Sequence, residues 1–439
     1  MVENYKKNND MAELNVGTQI KLRNGTSCKV KKELGRGGQG IVYLVDYNGK
    51  DYALKWYITP CSEAFFKNLE NNTKKGAPSS NFLWPEAVTE HQFGSCGYLM
   101  KLRPQGYEEI GAFMLAKAKF ADVHCLLKAC LQICTAFQQL HLYGFSYQDM
   151  NDGNFFINPK TGDVLICDND NVAPNGVNMG IAGKSGYMAP EIVERETMPN
   201  LYTDYFSLSV ILFILLYLNR PFEGAKVLSC PCLTEEMDKK LNGKGCVFIL
   251  DPTDNSNRPV RGVHTNVIRR WPLFPKLLRE AFIKTFSRDA ILTPSNRLMD
   301  KSWQNLLVQV RSLYVKCPIC GKYTFLDLEQ GASACLECGK DIVKPAVLKI
   351  GKYSVPLVPE QKIYQCQASL ENNYEKVVGE VIKNPKDPNK WGLRNLSGMQ
   401  WTVTTPSGEV KLVDNNGAMP IILGLKIRFT KEVTGEIFK

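Results

Sequence analysis

The stretch Phe145-Ser146-Tyr147-Gln148-Asp149-Met150-Asn151-Asp152-Gly153-Asn154 sets a carboxylate five residues ahead of a carboxamide in a polar, turn-rich setting. Fourteen residues beyond Asn154, the apolar run Val164-Leu165-Ile166-Cys167 ends on a second carboxylate, Asp168. Further on lie Ser185-Gly186-Tyr187-Met188-Ala189-Pro190-Glu191 and then Asp204-Tyr205-Phe206-Ser207-Leu208, which opens a long apolar helix. Upstream, Leu34-Gly35-Arg36-Gly37-Gly38-Gln39-Gly40-Ile41-Val42 fits the pattern G-x-G-x-x-G-x-V, and thirteen residues after Val42 a short strand, Tyr52-Ala53-Leu54-Lys55, ends on a lysine. Taken alone, the glycine pattern reads equally well as an ordinary hairpin turn. What carries weight is the order and spacing of all these motifs.

In that order the motifs resemble the eukaryotic-like protein kinase family over about residues 17–310. The resemblance implies that Gly35, Gly37, Gly38 and Gly40, with Val42, cover the phosphates of ATP, since glycines let backbone come close to a ligand. Lys55 would hold the α- and β-phosphates and would need a helix carboxylate to orient it, for which Glu70 is the first choice by spacing and Glu63 the second. Asp149 would accept the proton of the substrate hydroxyl, and Asn154 and Asp168 would hold Mg²⁺, a hard cation that prefers oxygen ligands. Glu191 is expected to pair with Arg297, Asp204 to serve as a structural cap, and Phe206–Leu218 to be the central buried helix of the larger lobe.

The chain departs from the family pattern in several places. Tyr147 and Gln148 stand where His and Arg are usual, Asn169 and Asp170 where Phe and Gly follow the metal aspartate, Asn151 where a lysine is usual and Lys184 where a threonine is usual. Because Asp149, Asn154 and Asp168 are all retained, the expected activity is transfer of the γ-phosphoryl group of ATP to a protein hydroxyl, serine or threonine favoured over tyrosine. Switching by activation-loop phosphorylation is not expected. The alternative is an ATP-binding pseudokinase acting as a scaffold. A closer resemblance rests on Ala53-Leu54-Lys55-Trp56-Tyr57, Phe82-Leu83-Trp84-Pro85, Cys167-Asp168-Asn169-Asp170-Asn171-Val172 and residues 248–259. These look like bacterial kinases of tellurite-resistance-type phosphorylation triads, which implies partners with a von Willebrand factor A domain and a metal-dependent protein phosphatase.

Beyond the kinase-like region, Cys317-Pro318-Ile319-Cys320-Gly321 and Cys335-Leu336-Glu337-Cys338-Gly339 form two knuckles whose four thiols suit tetrahedral Zn²⁺ in a closed, structural zinc ribbon. The tail carries β-branched runs split by turn signals such as Asn415-Asn416-Gly417, which read as a small all-β, sandwich-like module. Its closing segment resembles forkhead-associated domains, but no histidine follows His264, so phosphothreonine binding of that kind is not expected. A docking role, toward a partner or the kinase lobes, is expected instead, the alternative being a module that only covers the zinc ribbon. The fold class is therefore α+β: a bilobal kinase-like fold, a four-cysteine ribbon and a small β-sandwich. The expected boundaries are a polar tail 1–15, an N-lobe 16–102, a C-lobe 103–312, a ribbon 313–345 and a β module 346–439.

Composition sets the outer bounds. The 439 residues are 44% hydrophobic and 22% charged, which excludes a mainly disordered chain. The formal charge of +10 comes from dispersed residues with no run of five like charges, so no nucleic-acid arm is expected. The longest apolar stretch, Val210–Leu218, is too short to span a bilayer, and the first residues lack a signal-peptide core, so no membrane association is expected. Fifteen cysteines, four of them in the CxxC pairs, suit free thiols in a reducing compartment, hence a cytoplasmic location. Cys230, Cys232, Cys246 and His264 match no common ligand spacing, and His91, His124 and His141 are read as packing residues.

Overall fold

The computed structural model describes residues 13–180, 183–230, 232 and 234–439. Contacts divide the chain into two compact units: residues up to His264 together with Ile283–Lys301, and Thr265–Phe282 together with Ser302–Lys439.

The first unit opens with β1 (Gln19–Lys21), β2 (Ser27–Arg36), β3 (Gly40–Tyr47), β4 (Lys50–Tyr57), α1 (Glu63–Lys75), β5 (Ala87–Val88) and β6 (Gly97–Lys101). The strands form one antiparallel sheet in the order β1-β2-β3-β4-β6-β5. Side chains alternate between its faces, as the pleat requires. Leu54 and Trp56 enter one core with Ile41, Tyr43 and Val45, whereas Ala53 and Tyr57 enter another with Tyr98, Met100 and the α1 residues Phe66 and Leu69. Helix α1 begins where the Ser62 hydroxyl accepts from the Phe65 N–H at 3.1 Å, and it ends at Gly76, whose φ of +81° suits glycine.

The helical part follows with β7 (Glu108–Glu109), α2 (Ile110–Met114), α3 (Val123–Leu142), β8 (Phe145–Ser146), β9 (Phe155–Ile157), β10 (Val164–Ile166), β11 (Ala173–Pro174), α4 (Pro190–Val193) and α5 (Leu201–Tyr217). Strand β9 pairs with β10, and β8 with β11. The loop 147–154 therefore leaves β8 and enters β9 beside the loop 167–172, which leaves β10 and enters β11. That pairing brings Asp149, Asn154 and Asp168 together. Helix α5 is apolar all round and buried from Thr203 to Tyr217, so it forms a core rather than a surface helix. No described helix is long and apolar enough to cross a membrane. Glu191 and Arg297 form the expected bond, a buried fork with both N–O distances at 2.7 Å.

In the second unit, two hairpins, Tyr314–Lys316 with Tyr323–Phe325 and Ala332–Ala334 with Asp341–Val343, each carry one cysteine knuckle. Two antiparallel sheets of six and four strands then share one core that includes Leu348, Val355, Leu393, Trp401, Ile427 and Ile437. Packing does not follow the expected boundaries at 312/313 and 345/346. Val315, Cys317, Leu326, Cys335 and Ile342 of the hairpins share a core with Val358, and Trp391 packs against it. The Gln361 and Gln367 carboxamides reach the carbonyl and hydroxyl of Ser312 at 2.8 and 2.9 Å. So small a pair of hairpins buries too little apolar surface alone, and it borrows from the sandwich.

Candidate active site

The glycine-rich hairpin joins β2 to β3, closed by a bond from the Gly37 N–H to the Gly40 carbonyl at 2.9 Å. None of Gly35, Gly37, Gly38 and Gly40 has a left-handed φ. Their reasons differ. A Cβ at Gly40 would lie 2.5 Å from the Trp56 carbonyl oxygen, so this glycine is required by strand packing. At Gly35 and Gly38 a Cβ would meet nothing within 4 Å, which leaves open space above the sheet that a ligand can enter. Val42 stands opposite Lys55 in the β3–β4 register, and Tyr98 stands opposite Lys55 in the β4–β6 register. Val42, Lys55, Tyr57 and Tyr98 thus share one face of the sheet.

The loop after β8 is pinned from below. The Tyr147 N–H donates to Asp204 Oδ2 at 2.8 Å, and its hydroxyl donates to the Cys167 carbonyl, so the ring is fully buried and ties this loop to the one bearing Asp168. Gln148 and Asp168 both adopt left-handed φ, +72° and +52°, a strain that places their neighbours. The Asn154 carboxamide donates to the Asp149 carbonyl at 2.8 Å. Asp149 itself accepts from Asn151 at 3.2 Å on Oδ1 and from Asn171 at 3.4 Å on Oδ2. Asn169 is buried and donates to the Leu83 and Ile166 carbonyls, both at 2.9 Å, so the quoted Phe82-Leu83 segment fixes the Asp168 turn.

Three sequence expectations are corrected here. Lys55 is not paired with Glu70 or Glu63. Its ammonium bonds Asp170 at 2.8 and 3.0 Å and Asp168 at 3.3 Å. Glu70 instead bonds Arg23 at 2.5 Å. The reason is helical phase: at 3.6 residues per turn Glu63 and Glu70 share one side of α1, and residues two apart lie ~200° apart. The side facing the Asp168 turn carries Asn68 and Asn72, both of which donate to the Val172 carbonyl at 2.8 Å. Second, Asp204 is not the cap of α5. Asn200 caps that helix in a box with Thr203, and Asp204 turns inward to Tyr147 and to His141 Nε2 at 3.1 Å. His141 is correspondingly more than packing, because its Nδ1 also meets Asp300 at 2.8 Å.

Electrostatics follow from this geometry. Burial alone would lower the Lys55 pKa, but Asp170 and Asp168 override it and hold the lysine above its ordinary range. Burial raises Asp168; the Lys55 ammonium opposes this and the Asp170 charge adds to it. Burial likewise disfavours the charged form of His141, yet its bonds to Asp204 and Asp300 raise it to about 9. Lys184 reaches Asp152 at 2.5 Å. Burial would raise the Asp152 carboxyl, and Lys184 brings it below its usual value.

The residues fit a divalent cation and a phosphate chain. Asn154 turns its N–H inward, which leaves its carbonyl oxygen as a donor, while Asp168 engages only Oδ1 with Lys55 and its side chain is 39% exposed. These are oxygen ligands only, as Mg²⁺ requires. In the second unit, the Cys317, Cys320, Cys335 and Cys338 sulfurs all lie within 4.8 Å of one another. Gly321 and Gly339, at φ +71° and +70°, close the two knuckles by donating to the Cys317 and Cys335 carbonyls at 3.0 and 2.9 Å. This set is compatible with a metal held by four thiolates. Among the described residues it is the one group of three or more ligand-type side chains so gathered.

Comparison with known proteins agrees with the first unit. Residues 108–242 match the protein kinase domain family, a region that holds Asp149, Asn154, Asp168, Glu191 and Asp204 and stops short of the glycine-rich hairpin and Lys55. Serine/threonine-protein kinase ppk16 of Schizosaccharomyces pombe is 24% identical over 228 residues, 48% of this chain and 33% of that protein. A probable serine/threonine-protein kinase of Dictyostelium discoideum is 22% identical over 225 residues, 48% of this chain and 16% of that protein. A second S. pombe protein, also a probable serine/threonine-protein kinase, is 28% identical over 114 residues, 24% of this chain and 14% of that protein. The chain thus spans a third or less of the length of these curated relatives. Together these likenesses show that part of the first unit is similar to serine/threonine protein kinases.

Proposed function

We propose that the chain transfers the γ-phosphoryl group of ATP to a serine or threonine hydroxyl of a protein. The observation that carries this reading is the convergence of Asp149, Asn154, Asp168 and Lys55, linked by the bonds of 2.8 Å from Asn154 to Asp149 and 3.3 Å from Lys55 to Asp168. ATP bound with Mg²⁺ supplies the phosphoryl group. Lys55 neutralises phosphate charge, Asn154 and Asp168 hold the cation with oxygen, and Asp149 orients the acceptor hydroxyl and takes its proton. Purified protein with Mg²⁺ and γ-labelled ATP should label itself or a generic protein acceptor. Absence of transfer with intact Mg·ATP binding would favour the second reading, a nucleotide-binding scaffold, to which the missing helix carboxylate at Lys55 gives some support.

The four-cysteine set is proposed to hold a structural Zn²⁺. Elemental analysis should find about one zinc per chain, and Cys335→Ser or Cys338→Ser should release it. Because Cys317 and Cys335 share a core with Val358, the loss should also loosen the neighbouring sandwich, visible as faster amide exchange in Val347–Ile350 and Tyr353–Pro356. Metal-free protein with four intact thiols and unchanged exchange would overturn this. The proposed triad-type partners, a von Willebrand factor A domain protein and a metal-dependent phosphatase, and the bacterial setting rest on the quoted motifs, and the proposed cytoplasmic location rests on the cysteine usage. The β-sandwich is proposed as a docking module for such a partner.

A further inference from the structure

The proposed reaction needs a carboxylate to fix the phosphate-binding lysine, and in kinases generally a helix glutamate supplies it. No carboxylate of α1 does so here. We propose that Asp170, two residues past the metal-binding Asp168, is the positioning residue for Lys55, so that the lysine clamp is built into the metal-binding turn instead of into helix α1. This inference rests on the kinase reading of the site.

The geometry separates two tasks between two neighbouring aspartates. Asp170 is fully buried, and both of its oxygens are engaged: Oδ1 by Lys55 at 3.0 Å and the Tyr98 hydroxyl at 3.1 Å, Oδ2 by Lys55 at 2.8 Å and the Tyr57 hydroxyl at 2.7 Å. It has no lone pair turned to solvent and is not placed to bind a cation. Asp168 makes only one longer bond to Lys55 and keeps an exposed edge. Tyr57 and Tyr98 lie on the same sheet face as Lys55, because Tyr57 is two residues along β4 and Tyr98 is its cross-strand partner. Three donors from the sheet thus converge on one carboxylate that follows Asp168 in sequence. A buried carboxylate of this kind is costly unless each oxygen is paired, and here each is. Helix α1 meets the same turn only through neutral bonds, from Asn68 and Asn72 to the Val172 carbonyl. The lysine's charge partner therefore belongs to the turn of the metal aspartate and not to the helix.

The test compares Asp170→Asn, Glu70→Gln and wild type in the full chain, by phosphoryl transfer and by direct binding of Mg·ATP and of adenosine. Asp170→Asn should lower kcat/KM by roughly 100-fold, the scale of a misplaced catalytic group. It should weaken Mg·ATP binding on the order of 10-fold while adenosine, which lacks phosphates, binds as before. Glu70→Gln should match wild type in all three. An Asp170→Asn protein that equals wild type overturns the proposal, as does equal damage from Glu70→Gln. Equal loss of ATP and adenosine binding also overturns it, since that marks a structural role only. If Asp170→Asn does not fold, Tyr57→Phe with Tyr98→Phe removes two of the bonds to Asp170 and keeps the charge; an unchanged ratio of ATP to adenosine affinity then overturns it. Wild type that binds no Mg·ATP would instead overturn the kinase reading itself.

Discussion

Asp149→Ala is expected to lower phosphoryl transfer by roughly 10²- to 10⁴-fold, the range that a lost general base costs, with Mg·ATP affinity nearly unchanged. Asp149 does not touch Lys55, and its carboxylate is oriented by the Asn151 and Asn171 amides, neutral donors that leave it free to accept a proton. Its removal should leave the oxygen ligands on Asn154 and Asp168 in place, because Asn154 is held by the Asp149 backbone carbonyl and not by its side chain. Asp168→Ala is the contrast. It removes the proposed cation ligand and one partner of Lys55, so transfer and Mg·ATP binding should fall together. Single-turnover transfer and equilibrium nucleotide binding on both variants separate the two roles. Equal, non-zero transfer by wild type and Asp149→Ala would show that another group acts as the base.

The second large effect is on stability and has a defined pH window. His141 is buried between Asp204 and Asp300, at 3.1 and 2.8 Å, and its pKa is raised from 6.5 to about 9. A raised pKa means that the folded state binds the proton more tightly than the unfolded chain. The resulting stability is fully present below pH ~6.5 and is lost as pH rises through about 9. At 1.36 kcal/mol per pKa unit this is worth about 3 kcal/mol. His141→Gln can keep hydrogen bonds but not the charge, so its stability should lack that decline. The gap between wild type and variant, measured from denaturant midpoints, should narrow from pH 6 to pH 10. His141→Ala leaves two buried carboxylates without their cation and should cost ~3–5 kcal/mol at pH 6. A constant gap across that range would mean that the imidazole is neutral in the fold. Because Asp204 also holds the Tyr147 N–H, the same variants should slow transfer at pH 6 by loosening the loop that carries Asp149.

Much of the site is legible in sequence because its residues are local. Asp149 and Asn154 share one loop, Asp168 ends one strand, and Gly40 and Lys55 sit on adjacent strands joined by a short turn. Spacing along the chain is then nearly spacing in space. The cysteine knuckles are legible for the same reason: each CxxC-G is a single turn, and the glycine after each pair adopts the left-handed φ that the turn needs. Helix α5 could be read from composition, since an all-round apolar stretch has no exposed side to offer.

The partner of Lys55 could not be read in that way. The true carboxylate lies 115 residues downstream, in a turn where glycine is usual, and two tyrosines from separate positions in the sheet complete its shell. Glu70 had a suitable distance in sequence, but helix phase turns it toward Arg23. A shift of two residues along a helix reverses direction, and only packing of α1 against the sheet through Phe66 and Leu69 fixes which side faces the site. His141 illustrates the same limit. Its sequence neighbours are apolar, so it reads as a core residue, while its two carboxylates come from helix positions 63 and 159 residues away. The sequence by itself determined the loops that carry the chemistry, because each is a local turn with its own residues. Only the tertiary structure decided which charges face one another across those loops, because burial makes an unpaired charge so costly that distant segments are selected to meet it.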